Sequence, residues 1–515
     1  MNNIAESNVL EIKGSDKQGP VEEHSNDTIS LIKTRRSQEL IIGLCGAIGS
    51  GIQNLKDTLI LELEQHGYHV EHIRLSNLIY KASNKPKDIE CGFERYNKLQ
   101  DLGDELRSVK RLSILADLSI GEIAIRRQKL FGKQTTEEAV KVTKKVAYII
   151  DQIKHPQEIE LLQVVYRNNF YMLGLLRTEN ERKENLKDEG ISDENVAKLI
   201  LRDKKDDNKY GQQVEKSLHK ADYFIRNIDV AEEINSSISR FIKLIHGTNH
   251  ITPTNDETGM YSAFSASLRS ACLSRQVGAS IIDKEGNILS TGCNDVPKFK
   301  GGLYTSESKM DMRCFNYSGK CCHNDKHKTL LKREISELLT SLKVENPEDI
   351  SNKLIDETKI KSLIEYSRAV HAEMDAIVSL ARTSNSSTTE KILYCTTYPC
   401  HQCARHIVAA GIERVVYIEP YEKSLAINLH SDSICQPENL KKDKVIFENF
   451  EGVAPRRYEK FFRLNSDRKS PEGKLLTNRI TTASHVDPQY LDSYGEYELK
   501  IYDKVMKDFE FFGSD

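Results

Sequence analysis

The sequence has almost no excess of charge of either sign. Among 515 residues, 74 are Lys or Arg and 77 are Asp or Glu, which gives a formal net charge of −3 and a pI near 6.6. A protein that neutralises many nucleic-acid phosphates needs a basic face, so this balance argues against a polynucleotide substrate. The first 36 residues also contain no long apolar run, so we expect neither a signal peptide nor a membrane anchor there.

A disulfide framework is not expected either. The chain has eleven cysteines, and Cys45, Cys272, Cys293 and Cys395 fall within or beside apolar segments. Without an export signal, this is the pattern of reduced, intracellular thiols. We therefore expect a cytoplasmic protein.

The length of the chain predicts two or three domains. Residues 1–36 are polar and rich in Asn, Ser, Glu and Lys, which indicates a disordered tail. We expect a first domain over 37–247, a second over 248–464 and a C-terminal extension over 465–515. A polar stretch at 247–255 marks the boundary between the two domains.

Two short segments, His-Ala-Glu at 371–373 and Pro-Cys-His-Gln-Cys at 399–403, carry the clearest chemistry. His371, Cys400 and Cys403 supply three N/S ligands, which suit Zn2+ and leave the fourth tetrahedral position free for water. Zinc lowers the pKa of such a water towards ~7, so hydroxide is available at neutral pH. Glu373 is close enough to reach the same water and move its protons without binding the metal. H-x-E followed by P-C-x-x-C is a signature of zinc deaminases.

The surrounding sequence supports a catalytic site. Periodicity predicts a helix over 362–382 with the His-Ala-Glu segment in its first half, and a second helix with Pro399 in its first turn. Cys400 and Cys403, three residues apart, should project from one face of that second helix. A structural zinc knuckle, or buried cysteines without metal, is the alternative. Structural sites usually have four protein ligands, however, and a fourth is not obvious nearby.

A β-hairpin is predicted upstream, with strands at 280–283 and 288–292 joined by a turn that contains Gly-Asn. The loop Gly-Cys-Asn-Asp-Val-Pro follows at 292–297. Together with R-Q-V-G-A, H-A-E-M-D-A-I and Y-P-C-H-Q-C-A, it resembles deoxycytidylate deaminases over roughly 254–463. The resemblance implies that Asn294 hydrogen-bonds the deoxyribose and that Arg275 contacts a phosphate. An ordinary surface arginine is the alternative for Arg275.

Two other deaminase classes fit the sequence less well. Polynucleotide cytidine deaminases of the antiviral editing class carry Ser-Trp-Ser before the P-C motif, whereas this chain has Thr396-Thr397-Tyr398 and no tryptophan at all. An adenosine-tRNA deaminase would need a basic face for phosphate neutralisation. A free nucleotide is therefore the favoured substrate.

An insertion of 64 residues between Pro297 and Ser362 departs from the simple deaminase pattern. It contains Cys314, Cys321, Cys322 and His323, a density that could hold a second, structural zinc. Alternatively, it covers the nucleotide and brings Arg313, Lys320 and Lys326 to the phosphates. A solvated loop with reduced thiols is the third interpretation, and the sequence does not choose among them.

The first domain begins with a strand-like run at 39–45, a glycine-rich loop and an apolar helix over 55–66. Glycines let backbone N–H groups converge on an anion at a helix N-terminus. The segment resembles the P-loop of small nucleotide-type kinases such as dephospho-coenzyme A kinase. Its expected nucleotide-binding residues are Gly46, Gly49, Ser50 and Gly51.

The loop lacks the residues that perform phosphoryl transfer. G-x-x-x-x-G-K-[ST] requires Lys and Ser or Thr where this chain has Ile52 and Gln53. Those side chains supply charge and a magnesium ligand, so nucleotide binding without kinase activity is expected. Asp151, at the end of a predicted strand, could hold magnesium or cap the next turn.

A degenerate P-loop domain fused to such a deaminase resembles the bacterial antiphage deoxycytidine nucleotide deaminases, from about 41 to 463. The resemblance implies an α/β chain, with a P-loop kinase-like parallel sheet followed by a cytidine-deaminase-like α/β/α domain. It implies zinc-dependent conversion of dCTP, and also dCMP, to deoxyuridine nucleotides, which depletes dCTP during phage infection. It also implies a homo-oligomer held inactive by a nucleotide or small RNA acting through the N-terminal domain.

Two alternatives belong to other functional classes. A housekeeping dCMP deaminase with an N-terminal nucleotide-sensing domain would act on dCMP alone and would not affect phage. An RNA- or partner-binding regulator would have a vestigial deaminase, which the complete set of ligands and carboxylate disfavours.

Overall fold

The structure is a computed structural model. It describes residues 10–12, 36–86, 91–132, 144–204, 210–226, 230–248, 250–358, 360, 363, 365–383, 386–419, 424–437, 443–464, 468–478, 480–481, 485–486, 488–489 and 492–509. The chain divides into two compact units. The first is Met1–Thr252 together with Glu451–Asp515, and the second is Pro253–Phe450.

The first unit alternates strands and helices. Its strands before the second unit are β1 (Leu10–Ile12), β2 (Glu39–Gly46), β3 (His69–Arg74), β4 (Val146–Asp151), β5 (Phe170–Leu176) and β6 (Tyr223–Arg226). Its helices there are α1 (Ile52–Gln65), α2 (Leu75–Ala82), α3 (Gly92–Val109), α4 (Ile114–Phe131), α5 (Pro156–Tyr166), α6 (Glu179–Asp188), α7 (Asp193–Lys204), α8 (Val214–Leu218) and α9 (Ala231–Ile245).

The second unit is also mixed. Its strands are β7 (Gly278–Ile282), β8 (Ile288–Cys293), β9 (Ile392–Thr397), β10 (Arg414–Glu419), β11 (Ile434–Cys435) and β12 (Val445–Asn449). Its helices are α10 (Asn255–Ser267), α11 (His323–Ser341), α12 (Pro347–Glu357), α13 (Ala372–Thr383), α14 (His401–Ala409) and α15 (Ala426–Leu429). The chain then completes the first unit with β13 (Gly452–Val453), α16 (Tyr458–Phe462), β14 (Leu476–Asn478) and α17 (Asp492–Asp508).

Six strands form the main sheet of the first unit, in the order β13-β6-β5-β2-β4-β3. All neighbours are parallel except β13, which pairs antiparallel with β6. Strand β2 lies between β4 and β5, and all eight of its residues are buried. A strand covered on both faces has a continuous apolar sequence, which is why the run at 39–45 is recognisable. A short parallel pair, β1 with β14, stands apart.

The C-terminal segment differs from the expectation of a second domain up to 464 followed by a separate extension. The chain returns to the first unit at Glu451. There Arg456 and Arg457 each donate a hydrogen bond of 2.7 Å to Oδ1 of the buried Asp222. Helix α17 packs against α4 and α5. These contacts join residues more than 200 positions apart, so no pattern of neighbouring residues predicts them.

Arg127 connects α4 to the central strand and to the C-terminal helix. Its guanidinium donates to Oε1 of Glu39 at 2.8 Å and to Oε1 of Glu498 at 3.0 Å. Tyr494 donates to the other Glu39 oxygen at 2.7 Å. All four side chains are almost fully buried, and burial raises the pKa of Glu498. One cation therefore balances two buried carboxylates and ties α17 into the first unit.

The second unit has a six-stranded sheet in the order β11-β12-β10-β9-β7-β8. Its first four strands are parallel, and β7 runs antiparallel to both β9 and β8. The predicted hairpin is confirmed as β7–β8. Helices α10 and α13 pack against these two strands. The expectation of an α/β chain is thus confirmed, with two sheets rich in parallel pairs.

None of the described helices is suited to cross a membrane. Over that part of the chain, no helix is both long enough and apolar enough for a membrane span.

We predict that Arg127→Met destabilises the first unit by about 3–5 kcal/mol, because two buried carboxylates lose their only shared cation. The neighbouring Arg126→Met is the matched control. Arg126 pairs with Glu122 and Glu71 at a partly exposed site, where an ion pair contributes about 0–1 kcal/mol. Urea unfolding of the full chain measures the destabilisation caused by each substitution. Hydrogen exchange of β2 peptides assigns that destabilisation to the first unit. Equal effects of the two substitutions would contradict a structural role for Arg127.

Candidate active site

Three side chains in the second unit converge on a point where a metal ion could bind. Nδ1 of His371 lies 3.3 Å from Sγ of Cys400 and 3.3 Å from Sγ of Cys403. All three ligand atoms lie within 4.8 Å of one another. In the described part of the chain, this is the one group of three or more His, Cys, Asp or Glu side chains that meets that distance.

Both metal-facing segments lie at helix N-termini. The predicted helix over 362–382 starts later than expected, at Ala372, so His371 immediately precedes it. The physical reason is a β-bridge between Val370 and Asp295, in which the Val370 N–H donates to the Asp295 carbonyl at 3.0 Å and holds the chain extended. Helix α14 also starts later than predicted. Pro399 lies before its first turn rather than within it, and Cys400 is the N-cap.

The cap position favours a thiolate at Cys400. Its Sγ accepts a hydrogen bond from the Cys403 N–H at 3.5 Å, and the positive end of a helix stabilises negative charge. Hydrogen bonding from the Cys403 thiol, and then from His371, lowers the pKa of Cys400 to about 4. The same bond with Cys400 raises the pKa of His371.

Glu373 lies in the first turn of α13, two residues from His371, and is only 4% exposed. Burial raises the pKa of its carboxyl group. It lines the same cavity as His371 and Cys400. A carboxyl group placed there can exchange protons with a molecule held beside the metal-facing side chains.

This donor set fits Zn2+. One imidazole nitrogen and two thiol sulfurs are its preferred ligands, and a group of three such side chains is typical of a catalytic zinc site that keeps one position open. In the described residues no fourth His, Cys, Asp or Glu joins this group, so the alternative of a four-ligand structural knuckle finds no support.

A cavity of about 350 Å3 opens beside His371 and Cys400, two of the three metal-facing side chains. This volume lies within the usual range for small-molecule sites. The predicted residues His371, Glu373, Cys400, Asn294 and Arg275 all line it. The structure therefore brings the metal-facing residues and the expected substrate-binding residues to one place.

Asn294 holds the cavity wall in shape. Its Oδ1 accepts from the Val277 N–H at 2.7 Å, and its Nδ2 donates to the Arg275 carbonyl at 2.8 Å. Ser270 donates to the Asn294 carbonyl at 2.6 Å. Asn294 thus fixes the backbone of the segment that carries Arg275, a role that the resemblance did not suggest.

Arg275 projects from that segment with its side chain 46% exposed, and its NH1 lies 3.8 Å from an oxygen of Glu419. The same Glu419 oxygen accepts from the Thr397 hydroxyl at 3.1 Å. The guanidinium is therefore at the cavity rim and accessible, as a phosphate contact requires, although it already has a carboxylate neighbour.

The insertion forms one wall of the cavity, with some residues that the sequence singled out and one, Lys328, that it did not. Lys328 lines the cavity, whereas Arg313 is engaged within the insertion by Asp311, at 2.7 Å from NH2 to Oδ2. Cys314, Cys322 and His323 also line the wall. In the described residues they do not form a compact metal-binding group with Cys321.

Two further lining residues were missed. Arg368 donates to the Met312 carbonyl at 3.0 Å and lies 3.6 Å from the Tyr317 ring centroid, so it fastens the insertion beside the site. A single arginine upstream of His371 gives no local signal. Tyr398 packs edge-on against Tyr417 with centroids 4.7 Å apart. Its place directly before Pro399 could have identified it.

A close backbone approach sets the position of α13. A Cβ at Gly292 in β8 would lie 2.3 Å from the Ala372 carbonyl oxygen and 2.3 Å from the Ala376 nitrogen. Only glycine permits this contact, because both neighbours are backbone atoms of the helix. The glycine of the Gly-Cys-Asn loop therefore brings β8 against the turn that carries Glu373.

Comparison with known proteins supports the geometry. The family model of the cytidine and deoxycytidylate deaminase zinc-binding region matches residues 253–419. The chain is 32% identical over 177 residues to deoxycytidylate deaminase of Enterobacteria phage T2, covering 32% of this chain and 81% of that protein. It is 31% identical over 174 residues to the phage T4 enzyme, covering 32% of this chain and 79% of that protein.

Among solved structures, dCMP deaminase from the cyanophage S-TIM5 in complex with dCMP and dUMP is similar at 22% identity and a TM-score of 0.23. The match covers 39% of this chain and 99% of that one. Because the matched family region is zinc-binding and the donor set fits the ion, Zn2+ is the cofactor of the second unit.

We predict that Gly292→Ala lowers zinc occupancy, because its methyl group must push α13, and with it His371, away from β8. Ser290→Ala is the control. It removes a hydrogen bond of 2.7 Å to the Ala376 carbonyl in the same helix but adds no atom, so zinc should be retained. Elemental analysis measures the zinc content of both variants. Cys400→Ala serves as the reference for a site that has lost a ligand. Full zinc occupancy in Gly292→Ala would contradict the steric role.

Proposed function

Because the chain belongs to the deoxycytidylate deaminase family, we propose that it hydrolytically deaminates free deoxycytidine nucleotides, dCTP and also dCMP, to the deoxyuridine nucleotides. The observation that carries the proposal is the convergence of His371, Cys400 and Cys403 on one point, with buried Glu373 beside them in the same cavity. That arrangement holds a metal, leaves room for substrate and supplies one proton carrier.

In this proposal, His371, Cys400 and Cys403 hold Zn2+. When bound, the ion supplies the Lewis acidity that makes a water molecule nucleophilic at neutral pH. The positions of Cys400 as N-cap and of His371 directly before α13 fix both segments by backbone hydrogen bonds. The metal therefore meets a site whose ligands are already oriented.

Glu373 is the proposed proton carrier. It accepts one proton from the attacking water and delivers it to N3 of the cytosine ring as the C4–O bond forms. It then takes the remaining proton from the oxygen now bonded to C4 and delivers it to the amino group, so that the C4–N bond breaks, the C4 carbonyl forms and ammonia leaves. A buried carboxyl group suits this task, because bulk water does not compete for the proton.

Asn294 and Arg275 are the proposed substrate-binding residues, for the deoxyribose and a phosphate respectively. Asn294 also positions Arg275 through its hydrogen bond to the Arg275 carbonyl. Lys328 and Arg368 line the same cavity. Three basic side chains around one opening favour a nucleotide over a free nucleoside, since phosphates need positive partners.

We further propose that the reaction depletes dCTP as an antiphage defence, in a cytoplasmic homo-oligomer. The first unit would be a degenerate P-loop domain in which Gly46, Gly49, Ser50 and Gly51 bind phosphate. It would regulate the deaminase through a nucleotide or a small RNA. The support is the loop itself: Gly49 and Gly51 adopt the left-handed conformation, and the loop leads into helix α1.

We predict that purified protein with zinc converts dCTP to dUTP and dCMP to dUMP, and that Glu373→Gln lowers both rates by several orders of magnitude while zinc stays bound. The exposed Glu365→Gln is the control and should keep normal rates. Chromatography of the products measures the deamination rates, and elemental analysis of the same samples measures the bound zinc. A near-normal rate in Glu373→Gln would refute its role, and turnover of dCMP alone would favour a housekeeping enzyme.

We predict for the cellular role that the wild-type chain reduces phage plaque formation and the dCTP pool together, whereas Glu373→Gln changes neither. Nucleotide pools measured after infection test the link. Protection by Glu373→Gln would separate the antiphage role from deamination.

A further inference from the structure

The first unit contains a second cavity, of about 490 Å3, that the proposed deamination does not use. Its walls come from the segments that follow the carboxyl ends of β2, β3, β4 and β5, together with helices α3 and α6. In sheets of parallel strands, ligands bind outside these strand ends. Both volume and location are those of a small-molecule site.

The glycine loop forms the floor of this cavity. Gly49 and Gly51 have φ of 78° and 76°, and Gly51 is the N-cap of α1. No side chain caps α1 among the described residues, and its first turn contains no acid. The N-terminus of this 14-residue helix lines the cavity with neither a side-chain cap nor an acid in its first turn, which favours an anion there.

A buried acceptor in helix α3, which also lines the cavity, gives independent evidence for a ligand. Gln100 in α3 lines the cavity and is only 3% exposed. Its Nε2 donates to Oε1 of Gln212 at 3.2 Å, but its own Oε1 has no hydrogen-bond partner among the described residues. A buried acceptor without a partner is unfavourable, so a ligand N–H or O–H group would gain a hydrogen bond there.

The charge and shape of the walls indicate what else the ligand carries. Five lining side chains are basic and three are acidic. Arg107 and Lys154 are balanced by Glu158 and Asp203. Apolar residues, among them Ile79 and Leu99, offer a surface for a flat ring. A phosphate, a ring and a hydrogen-bond donor together describe a nucleotide.

The groups that would hold magnesium are engaged elsewhere. The Gln53 amide donates to both oxygens of Asp57, at 3.1 and 2.9 Å. Asp151 accepts from His72 Nε2 at 2.8 Å and from the Leu75 N–H at 3.2 Å, so it caps the turn into α2. Asp151 therefore caps a turn, although not the turn after its own strand that the sequence suggested.

The loop is also preformed. The Ile48 N–H donates to Oδ2 of Asp203 at 2.7 Å, and the other Asp203 oxygen bonds Lys154. Asn185 donates to the Gly49 carbonyl at 2.8 Å. These contacts from α6 and α7 keep the loop in a phosphate-accepting shape, so little ordering is needed when a ligand binds.

We propose that this cavity binds a free nucleotide without magnesium, with its phosphate at the N-terminus of α1 and a donor group of its sugar or base at Gln100. The inference rests on the proposed phosphate-binding character of the first unit and adds the ligand's orientation and its independence from a metal.

The test is equilibrium dialysis of the zinc-loaded full chain with labelled ATP and GTP, with and without added magnesium, and with pyrophosphate as competitor. We expect at least one nucleotide to bind equally well in both conditions and to be displaced by pyrophosphate. Gly51→Asp should weaken binding at least about tenfold, because it places a carboxylate where the phosphate sits. Gln100→Leu should weaken it about threefold to tenfold through loss of one hydrogen bond.

Gly67→Asp is the matched control. Gly67 also has a positive φ, of 81°, follows the other end of α1, and a Cβ there meets nothing within 4 Å. It should bind as the wild type does. Equal loss in Gly51→Asp and Gly67→Asp, strict magnesium dependence, or normal binding by Gln100→Leu would overturn the proposal.

Deamination of dCMP, measured on the same preparation, keeps the two proposals separate. A preparation that deaminates dCMP but binds neither nucleotide nor pyrophosphate in the first unit overturns the inference alone. Nucleotide binding sensitive to Gly51→Asp, in a preparation that deaminates no cytidine nucleotide, supports the inference and refutes the proposed function.

Discussion

The close contact between β8 and α13 is the constraint on which the candidate active site depends. With no side chain at Gly292, the strand reaches the backbone of the first turn of the helix. That contact places Glu373 beside the Asn294 loop, and the bridge from Asp295 to Val370 fixes His371 just before the helix begins. The candidate metal ligands, the proposed proton carrier and the cavity wall are thus set by backbone packing rather than by flexible side chains.

Helix N-termini serve two different purposes in this chain. In the second unit, the N-terminus of α14 carries Cys400 as its cap, so the helix stabilises a thiolate that can bind metal. In the first unit, glycine takes the cap position of α1, and no side chain of the described residues makes a cap hydrogen bond there. The same electrostatic property therefore favours an internal ligand in one case and an external anion in the other.

A feature could be recognised from the sequence when the residues that determine it lie close together in the chain. The His-Ala-Glu and Pro-Cys-x-x-Cys segments, the hairpin and the buried strand β2 depend on neighbouring residues, and all were recognisable. The helix starts were misplaced, because the bridge that delays α13 involves Asp295, 75 positions from its partner Val370. The return of residues 451–515 to the first unit depends on the buried charges of Arg127, Glu498 and Asp222, whose partners lie hundreds of positions away. An isolated Arg or Glu in the sequence carries no sign of being buried.

The altered glycine loop separates two properties that P-loops usually combine. Phosphate binding by such a loop uses backbone N–H groups, which Ile52 and Gln53 still possess, whereas transfer uses the lysine charge and the hydroxyl that they replace. The hydrogen bond from the Leu75 N–H to Asp151 and the engagement of Gln53 with Asp57 occupy two of the groups that would bind magnesium at this loop. Meanwhile, Asp203 and Asn185 hold the loop in shape without a ligand. A site that is preformed yet lacks the transferring groups can bind and release a nucleotide without consuming it, which is the property required of a sensor.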